Sequence, residues 1–311
     1  MDLLRGAGQS GYRRYRTNMR HHINPALGNV ALSRLTALQI QNLYNQKLNA
    51  GLSSSSVQNI HTVLHSALKE AAQLGLVQRN VADMARKPAR RRTKTATLSE
   101  EQVQIFLKAI KGNRLEALYI LALSTGMREG ELLGLSWSDV DLEHGALQVS
   151  LSLQESDGPV RRVLGEPKTS YSRRRISLSK AAIWALCRHR ERQEMARLRG
   201  REVADPKYDL VFPNLLGRPL HPSHLLRRQF RPLLQRAGLP PIRFHDLRHT
   251  AATLLLGRGI NPKIVSEMLG HANVRITLDI YSHVMPDMQQ RAAQAMDDIF
   301  GPRGGNDDTV D

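Results

Sequence analysis

Cysteine is nearly absent from this chain of 311 residues, which contains only Cys187. A single thiol excludes an internal disulfide and suits a reducing cytoplasm, and its helical surroundings predict a buried structural thiol. Aromatic residues make up 5% of the chain, so stacking on unpaired bases is not expected as the main mode of binding. Apolar runs such as Leu118–Leu123 are too short to cross a bilayer, and no basic leader with an apolar run opens the chain. These absences predict a cytoplasmic globular protein without a membrane span.

Acidic side chains are scarce beside basic ones, with 28 Asp and Glu against 45 Lys and Arg, a formal net charge of +17. Residues 1–97 hold 15 basic and 3 acidic side chains (net +12), whereas residues 98–311 hold 30 and 25 (net +5). A surplus of this size calls for a polyanion, and nucleic acid is the commonest one. The alternative is a solvated basic surface that serves solubility. The uneven distribution favours a basic N-terminal clamp on phosphates, joined to a second domain with a different task.

The first 86 residues read as a small helical bundle. A basic helix is predicted from Tyr12 to His22, ended by Asn24-Pro25 and Gly28. A second helix is predicted over Thr36–Asn49 and a third from the serine run Ser53–Ser56 to Gly75. No strand pattern occurs before residue 97.

Residues 87–97 predict an extended basic linker. Proline in a run of like charges cannot bury itself, so this segment is either a passive tether or a strap along a phosphate backbone. The run surrounds Pro88 and contains Arg86, Lys87, Arg90, Arg91, Arg92 and Lys94.

Residues 98–300 predict a mixed, mainly helical domain that begins with a cap at Thr97 or Ser99. Residues 146–153 alternate with the period of a strand, and shorter strands are expected at Arg161–Leu164 and Arg174–Leu178, with turns at residues 157–159 and 170–172. Helices resume at Lys180. Helices, a small antiparallel sheet and further helices make an α+β domain. The tail, residues 301–311, is predicted to be disordered.

The segment Thr125–Leu135 is the first that carries chemistry. Gly126 stops a helix, and Arg128 begins the next one at its N-terminus, where backbone N–H groups favour an anion. Glu131 lies one turn along the same face. The alternative is an ordinary Arg–Glu pair on a helix surface.

Three further segments gain meaning from their order. Lys168 lies at a predicted hairpin, where lysines are usually just solvated. His245 and Arg248 are one turn apart before an apolar helix, so both could contact one phosphate. His245 and His249 have the spacing of zinc ligands, but the glutamate that such helices place after the first histidine is missing. Gly270-His271 marks a helix end, and Tyr281 follows ten residues later.

Taken together, these segments resemble the tyrosine recombinases of the phage-integrase family. Trp137 and Asp139 add to the match, and residues 22–28 and 59–80 resemble the family's helical core-binding domain, so the resemblance covers nearly the whole chain. It implies a core-binding domain over residues 1–86 and a catalytic domain over 98–300. It also implies an active site formed by Arg128, Lys168, His245, Arg248, His271 and Tyr281, with Glu131 supporting the first arginine.

The resemblance implies that Tyr281 attacks a DNA phosphodiester and holds a 3′-phosphotyrosine, while Lys168 protonates the departing 5′ oxygen. The ester stores the bond energy, so no cofactor and no metal ion are expected. Many relatives of the lambda integrase type carry an arm-binding domain before the core-binding domain. Here either the natural protein is short, or Met1 is not its natural start.

The implied partner is double-stranded DNA with a specific recombination site, bound by a homotetramer in the cytoplasm of a prokaryotic cell, at the nucleoid or on a mobile element. The helix over Met288–Phe300 is expected to dock on a neighbouring protomer or on its own. The target sequence, the direction of recombination and a directionality factor stay open. Rival interpretations are a type IB topoisomerase and a non-catalytic DNA-binding regulator. DNA contacts are expected from Arg13, Arg14, Arg16, Arg20, Arg90, Arg91, Arg92, Lys94 and Arg173.

Overall fold

The computed structural model describes residues 8–89, 96–155, 162–166, 172–203, 205, 207–284 and 288–300. They form two compact units, residues up to 94 and residues from 95 on, with the segment 155–163 grouped with the first. None of the described helices is long and apolar enough to pass through a membrane. The predicted linker bounds remain a prediction. Several predicted features lie outside the described residues: Arg90, Arg91, Arg92, Lys94, Lys168, the turns at 157–159 and 170–171, and the tail.

Over residues 8–89 the regular elements of the first unit are all helical, as predicted. Thr36 caps a helix by accepting the N–H of Gln39, and Ser53 caps the next by accepting the N–H of Ser56. Short 3₁₀ turns span Leu32–Arg34 and Val81–Met84. The α-helices are α1 (Gly8–Asn18), α2 (Asn24–Leu27), α3 (Ala37–Asn49) and α4 (Ser54–Gln73).

The predicted stop at Asn24-Pro25 is wrong in its position. The helical path continues from α1 through a π-helical turn, Met19–Ile23, into α2 and ends at Gly28. In the π turn the N–H of Asn24 reaches back to the carbonyl of Met19. The wider turn shifts the hydrogen-bond register, so Pro25 enters at the start of α2, where its missing N–H is not needed.

The core of the first unit lies between α3 and α4. Ile40, Tyr44, Val57 and Ile60 have no exposed surface. Their positions follow the i, i+4 and i, i+3 spacing that the sequence predicted for one buried helical face. Leu27, Leu48 and Leu52 pack against this cluster from its edge.

The second unit combines helices with short strands, which confirms the predicted α+β class. Ser99 caps its first helix with a capping box to Gln102, as expected for one of the two candidate caps. The helices are α5 (Glu100–Ile110), α6 (Glu116–Thr125), α7 (Glu129–Leu133), α8 (Lys180–Leu198), α9 (Pro222–His224), α10 (Arg231–Arg236), α11 (Asp246–Gly257), α12 (Pro262–Leu269), α13 (Arg275–Val284) and α14 (Met288–Phe300), with a π-helical turn Leu225–Phe230 before α10.

The strands form two small sheets rather than one. The first has the order β1-β2-β5, with both pairs antiparallel, and the second joins β3 to β4. The buried Leu147 and Ile176 are partners at the centre of the first sheet. The strands are β1 (Val140–Asp141), β2 (Ala146–Gln148), β3 (Ser152–Glu155), β4 (Arg162–Gly165) and β5 (Arg175–Ser177).

The single strand predicted over residues 146–153 is therefore wrong, because β2 and β3 belong to different sheets. The backbone at the start of β3 passes close to α7. A Cβ at Gly130 would lie 2.8 Å from the carbonyl oxygen of Leu153, and one at Gly134 would lie 3.2 Å from the Cα of Ser152. The two glycines let the chain approach α7, which draws it away from β5 after Val149.

The main core of the second unit surrounds α6. Ala117, Leu118 and Leu121 have no exposed surface, and the rings of Phe106, Tyr119, Phe230 and Phe244 pack edge to face or tilted beside them. A smaller cluster of Leu256, Val265 and Leu269 joins α11 to α12, and Ile280 of α13 packs against it. This packing fixes the helix that carries Tyr281.

Cys187 is half-buried in α8, not buried as predicted. The face of α8 that enters the core contains Ala182, Ala185, Leu186 and His189, so Cys187 lies at its edge. Trp184, three residues before Cys187 on the same helix, is 73% exposed.

Replacing Gly126 by alanine is expected to destabilise the second unit more than the same change at Gly112. Both glycines have a positive φ, +60° and +77°, so each substitution costs about 1–2 kcal/mol of backbone strain. A Cβ at residue 112 would meet no atom within 4 Å, whereas one at residue 126 would collide with the side chain of Leu269. The collision adds about 1–3 kcal/mol. Urea unfolding of both variants measures the difference, and equal losses would contradict it.

Candidate active site

Arg128 lies at the junction of α6 and α7. Gly126 ends α6 in the left-handed conformation, φ +60°, and Arg128 then precedes α7 with an extended backbone. Its N–H donates to Oε2 of Glu131 at 2.9 Å, and its guanidinium donates to Oε1 at 2.7 Å. This is the turn that the sequence predicted, and it leaves the Arg128 side chain 38% exposed.

Glu131 is a buried carboxylate shared by two arginines. Its side chain is 2% exposed, and besides Arg128 it accepts hydrogen bonds at 3.2 and 2.9 Å from both terminal nitrogens of Arg174. Burial raises the pKa of Glu131, but the hydrogen bonds and charges of Arg174 and Arg128 outweigh it and hold the pKa below its usual value. Glu131 is therefore ionised at neutral pH.

The two predicted arginines each bind the carbonyl of a left-handed glycine at a helix end. Arg128 donates to Gly270 at the end of α12, and Arg248 donates to Gly126 at the end of α6, both at 2.8 Å. The last carbonyls of a helix lack intrahelical partners and carry partial negative charge, so they suit cations. The bonds hold both guanidiniums beside the same pair of helix ends.

Arg248 is nearly inaccessible in the first turns of α11. Burial, together with the charges of Arg128 and Arg174, lowers the pKa of Arg248 to about 9, while Glu131 opposes the shift. The guanidinium still carries its charge at neutral pH. Its dependence on Arg128 and Glu131 shows that the predicted residues of α7 and α11 lie close together.

The predicted histidines border the same cluster. Burial lowers the pKa of His271 to about 4, helped by Arg248 and Arg128, and burial lowers the pKa of His245 to about 4, helped by His249 and Arg248. His245 as a residue is exposed, and its cationic neighbours also lower its pKa. Both imidazoles are therefore neutral at neutral pH and can accept a proton.

Tyr281 lies in α13, one helical turn after Thr277, and the position of its side chain lies outside what the structure describes. Thr277 is fully buried, and a hydrogen bond of 2.8 Å joins its hydroxyl to Nδ1 of His271. That bond, made through Nδ1, ties the helix of Tyr281 to the histidine. Lys168 lies outside the described residues, so its distance from this cluster stays a prediction.

Sequence reasoning missed Arg174. Its neighbour Arg173 was selected for a DNA contact, which stays a prediction; Arg173 is exposed and pairs with Glu166. Arg174 is buried, like Ile176 two residues later, while Arg173 and Arg175 are exposed. This strand alternation was the available signal, because residues two apart share one face of a strand. Thr277 was missed as well, and its only signal was its spacing of one turn before Tyr281.

His245 and His249 meet in a T-shaped contact with ring centroids 4.9 Å apart. In the part of the chain that the structure describes, no group of three or more histidines, cysteines or carboxylates could hold a metal ion. Asp246, between them in the sequence, is bound by Arg243 at 2.8 Å. The pair formed by His245 and His249 lies beside the arginine cluster.

Comparison with known proteins places this geometry in a family. Residues 96–288 match the phage integrase family, and residues 8–48 match the phage integrase N-terminal SAM-like domain. The chain belongs to the phage integrase family. It is a tyrosine-type site-specific recombinase, an enzyme that transfers DNA strands, as its motifs led us to expect.

Two proteins named as a recombinase and an integrase are similar to most of this recombinase. A "Tyrosine recombinase XerC-like" protein of Caldanaerobacter subterraneus subsp. tengcongensis is 33% identical over 303 residues, which cover 92% of this chain and 77% of that one. The ICEBs1 integrase of Bacillus subtilis is 29% identical over 293 residues, covering 92% and 78%.

Solved structures share the integrase fold. The Tn1549 transposon integrase in complex with transposon right end DNA has a TM-score of 0.78 at 23% identity, covering 95% of this chain and 97% of that one. A lambda integrase dimer bound to a COC′ core site has a TM-score of 0.66 at 20% identity, covering 89% and 90%.

Replacing Glu131 by glutamine is expected to lower the free energy of unfolding by about 3–5 kcal/mol at neutral pH, because two guanidiniums lose a buried carboxylate. A carboxyl whose pKa is lowered on folding stabilises fully above its unfolded pKa, near 4.5, and that contribution is lost as the pH falls through the lower folded value. The unmodified protein should therefore lose stability below about pH 4.5 more steeply than the variant.

Denaturant unfolding between pH 7 and pH 3.5 measures both effects. The exposed Glu143, changed to glutamine, is the control and should leave the pH profile unchanged. Parallel pH profiles for the Glu131 variant and the unmodified protein would contradict the buried, ionised pair.

Proposed function

We propose that Arg128, Arg248, His245 and His271 bind one scissile phosphate of duplex DNA and that Tyr281 attacks it. The observation that carries this assignment is the pair of guanidiniums fastened to the ends of α6 and α12 at 2.8 Å, beside two neutral imidazoles. Glu131 satisfies only part of their charge, so the cluster keeps a net positive charge suited to an anion.

The chemistry of a phosphodiester explains why these residue types are needed. Attack adds negative charge to the non-bridging oxygens, and planar guanidiniums donate two parallel hydrogen bonds to such oxygens. Arg128 is suited to this because part of its side chain remains exposed while Glu131 and Gly270 hold the rest. Arg248 contributes a charge fixed before the substrate arrives.

Tyr281 needs help to act as a nucleophile, because a free phenol has a pKa of about 10. In the proposed step its proton passes to a neutral histidine as the phenolic oxygen bonds to phosphorus, and the bond from phosphorus to the 5′ oxygen breaks. Lys168 gives that oxygen a proton, which leaves a 3′-phosphotyrosine and a 5′ hydroxyl. Attack by the 5′ hydroxyl of a partner strand reverses the step and frees Tyr281. The ester conserves the bond energy, so the reaction as proposed uses neither a nucleotide nor a metal ion.

The partner is double-stranded DNA with a specific recombination site, met in the cytoplasm of a prokaryotic cell. In the first unit Arg14, Arg16 and Arg20 are exposed, and residues 8–89 contain only Glu70 and Asp83 as carboxylates. An exposed basic surface of this kind binds phosphates without regard to sequence. The Tn1549 integrase was crystallised with DNA, which supports the same use here.

Changing Tyr281 to phenylalanine is expected to abolish a covalent protein–DNA adduct, because the attacking oxygen is lost. The measurement uses a labelled pool of duplexes with randomised sequence and a nick near the centre, which traps the adduct after the cut strand diffuses away. Tyr208→Phe is the matched control and should form as much adduct as the unmodified protein. A denaturant-resistant adduct in Tyr281→Phe would refute the nucleophile.

The rival functions give different results in the same system. A type IB topoisomerase would relax a supercoiled plasmid that lacks any site recovered from the pool, whereas a site-specific recombinase should relax it far less. A non-catalytic regulator would retain duplexes from the pool without any adduct.

We further propose that four protomers assemble on two duplexes through α14. Among its described side chains, Ile299 and Phe300 are 68% and 76% exposed, and Met296 is also exposed. Exposed apolar residues on one helix are typical of a contact surface. A directionality factor, if one exists, would act on this assembly.

Removing residues 287–311 is expected to reduce tetramers on DNA while leaving monomer binding intact. Ile299→Ser with Phe300→Ser should have the same effect, whereas Leu198→Ser, at an exposed site on α8, should have none. Native gels and light scattering on trapped complexes give the stoichiometry. Full tetramer assembly by the truncated chain would reject the docking, as would docking of α14 on its own protomer.

A further inference from the structure

Arg174 is a buried cation for which the reaction proposed above has no direct use. Its side chain is 7% exposed. Each of its nitrogens has a protein acceptor: Nε donates to the carbonyl of Met268 at 2.6 Å, and the terminal nitrogens donate to Glu131 and to the carbonyl of Ser172 at 3.0 Å. Four of its five N–H groups are thereby used inside the protein, and with 7% of the side chain exposed the guanidinium offers almost no surface to a phosphate.

The bonds of Arg174 immobilise Glu131. Oε1 of Glu131 accepts from the side chains of Arg128 and Arg174, and Oε2 accepts from the N–H of Arg128 and from Arg174. A carboxylate held on both oxygens from two directions cannot rotate. The arginine it aims, Arg128, is thus held in one orientation.

The same side chain connects three elements that carry the site. Arg174 enters from the residue before β5, Glu131 lies in α7, and Met268 lies in the last turn of α12. Two residues after Met268, the carbonyl of Gly270 holds Arg128, and His271 follows. A shift of Arg174 would therefore move Arg128 relative to His271.

A structural role alone does not explain a charged residue at this place. Three buried or half-buried guanidiniums, Arg128, Arg174 and Arg248, surround one carboxylate, and replacing a buried ion pair by apolar side chains is often neutral or stabilising. Arg174 adds positive charge to a cluster that already lowers the pKa of His271 and Arg248. A role in the reaction would account for a charge that stability does not require.

We propose that Arg174 is a positioning residue for strand cleavage: it fixes the Glu131 carboxylate against the end of α12 and so aims Arg128 at the scissile phosphate. This rests on the function proposed above for Arg128. Arg174 itself does not touch DNA.

Arg174→Met is expected to reduce the rate of adduct formation about 100-fold, because a small displacement of a positioned group costs about that much. The affinity for the nicked duplex should not change, since the Arg174 side chain is buried and spends its bonds on Glu131 and on backbone carbonyls. Arg174→Lys should recover part of the rate, because an ammonium can neutralise Glu131 but cannot make the same set of bonds. Arg175→Met is the matched control, since Arg175 is 67% exposed and lies 3.9 Å from Asp141.

The pH profile separates positioning from general damage. The charged groups around Glu131 are Arg128, Arg174 and Arg248. Burial raises the pKa of Glu131, and Arg174 and Arg128 lower it. In Arg174→Met only Arg128 remains as the main partner that lowers it, so the pKa of Glu131 should rise. Protonated Glu131 releases Arg128, and adduct formation in Arg174→Met should then fall as the pH is lowered, over a range where the unmodified protein and Arg175→Met stay level.

A double-mutant cycle completes the test. If Arg174 acts through Glu131, Arg174→Met in a Glu131→Gln background should cost far less than 100-fold. Additive losses, a parallel loss of DNA affinity, or a rate and pH profile like those of Arg175→Met would each overturn the proposal. Thermal unfolding of every variant sets an assay temperature at which all are folded. If Arg174→Met does not fold, Arg174→Lys compared with Arg175→Lys decides by rate and pH profile.

The two proposals fail differently. An adduct that persists in Tyr281→Phe removes the assigned nucleophile, whatever Arg174 does. Adduct formation that depends on Tyr281 but is indifferent to Arg174 removes only the positioning role.

Discussion

The site depends on one buried carboxylate shared by two guanidiniums. Glu131 is 2% exposed, and a carboxylate so placed is tolerated only when its lone pairs are filled and its charge is balanced. Arg128 and Arg174 meet both conditions. In return, Glu131 compensates part of the repulsion among the arginines, which burial and mutual proximity would otherwise make costly. The first arginine and the strand that precedes α8 are thereby joined to α7, and none of these groups can move without exposing a buried charge.

Two left-handed glycines provide the second constraint. Gly126 and Gly270 turn the chain at the ends of α6 and α12, and their carbonyls accept from Arg248 and Arg128. Arg128, from the junction after α6, binds the end of α12, and Arg248, from α11, binds the end of α6. The three helices α6, α11 and α12 are thus held together by polar bonds as well as by packing. Leu269 fills the space where Gly126 lacks a side chain, which leaves no room for any other residue there. Ile280 packs against the apolar cluster of Leu256, Val265 and Leu269. This contact holds the helix at the residue before Tyr281.

Local chemistry explains what could be predicted from the sequence. The turn at Gly126 and Arg128 and the helix end at Gly270 follow from capping rules that involve neighbours in the chain, and their order points to the family. Arg174 depends instead on which face of a short strand turns inward, which only the surrounding helices decide. The break between β2 and β3 arises because Gly130 and Gly134 admit the backbone of a distant segment. The π turn before Pro25 shows the same limit, since a proline that stops an ordinary helix was accommodated by a shift in hydrogen-bond register. Long-range packing, rather than pattern, settled each of these.

The balance of charge in the site bears on how it works. Arg128, Arg174 and Arg248 outnumber Glu131. Burial first, and the cationic neighbours after it, lower the pKa values of His245 and His271, so both imidazoles are neutral. On the proposed mechanism an arriving phosphate supplies the missing negative charge, which relieves the repulsion and favours proton uptake by the same imidazoles. The proton acceptors for Tyr281 would thus gain basicity at the moment the substrate binds. A site whose charges were balanced without DNA would lack this coupling. Its histidines would already be protonated, or their pKa values would not change when the phosphate binds.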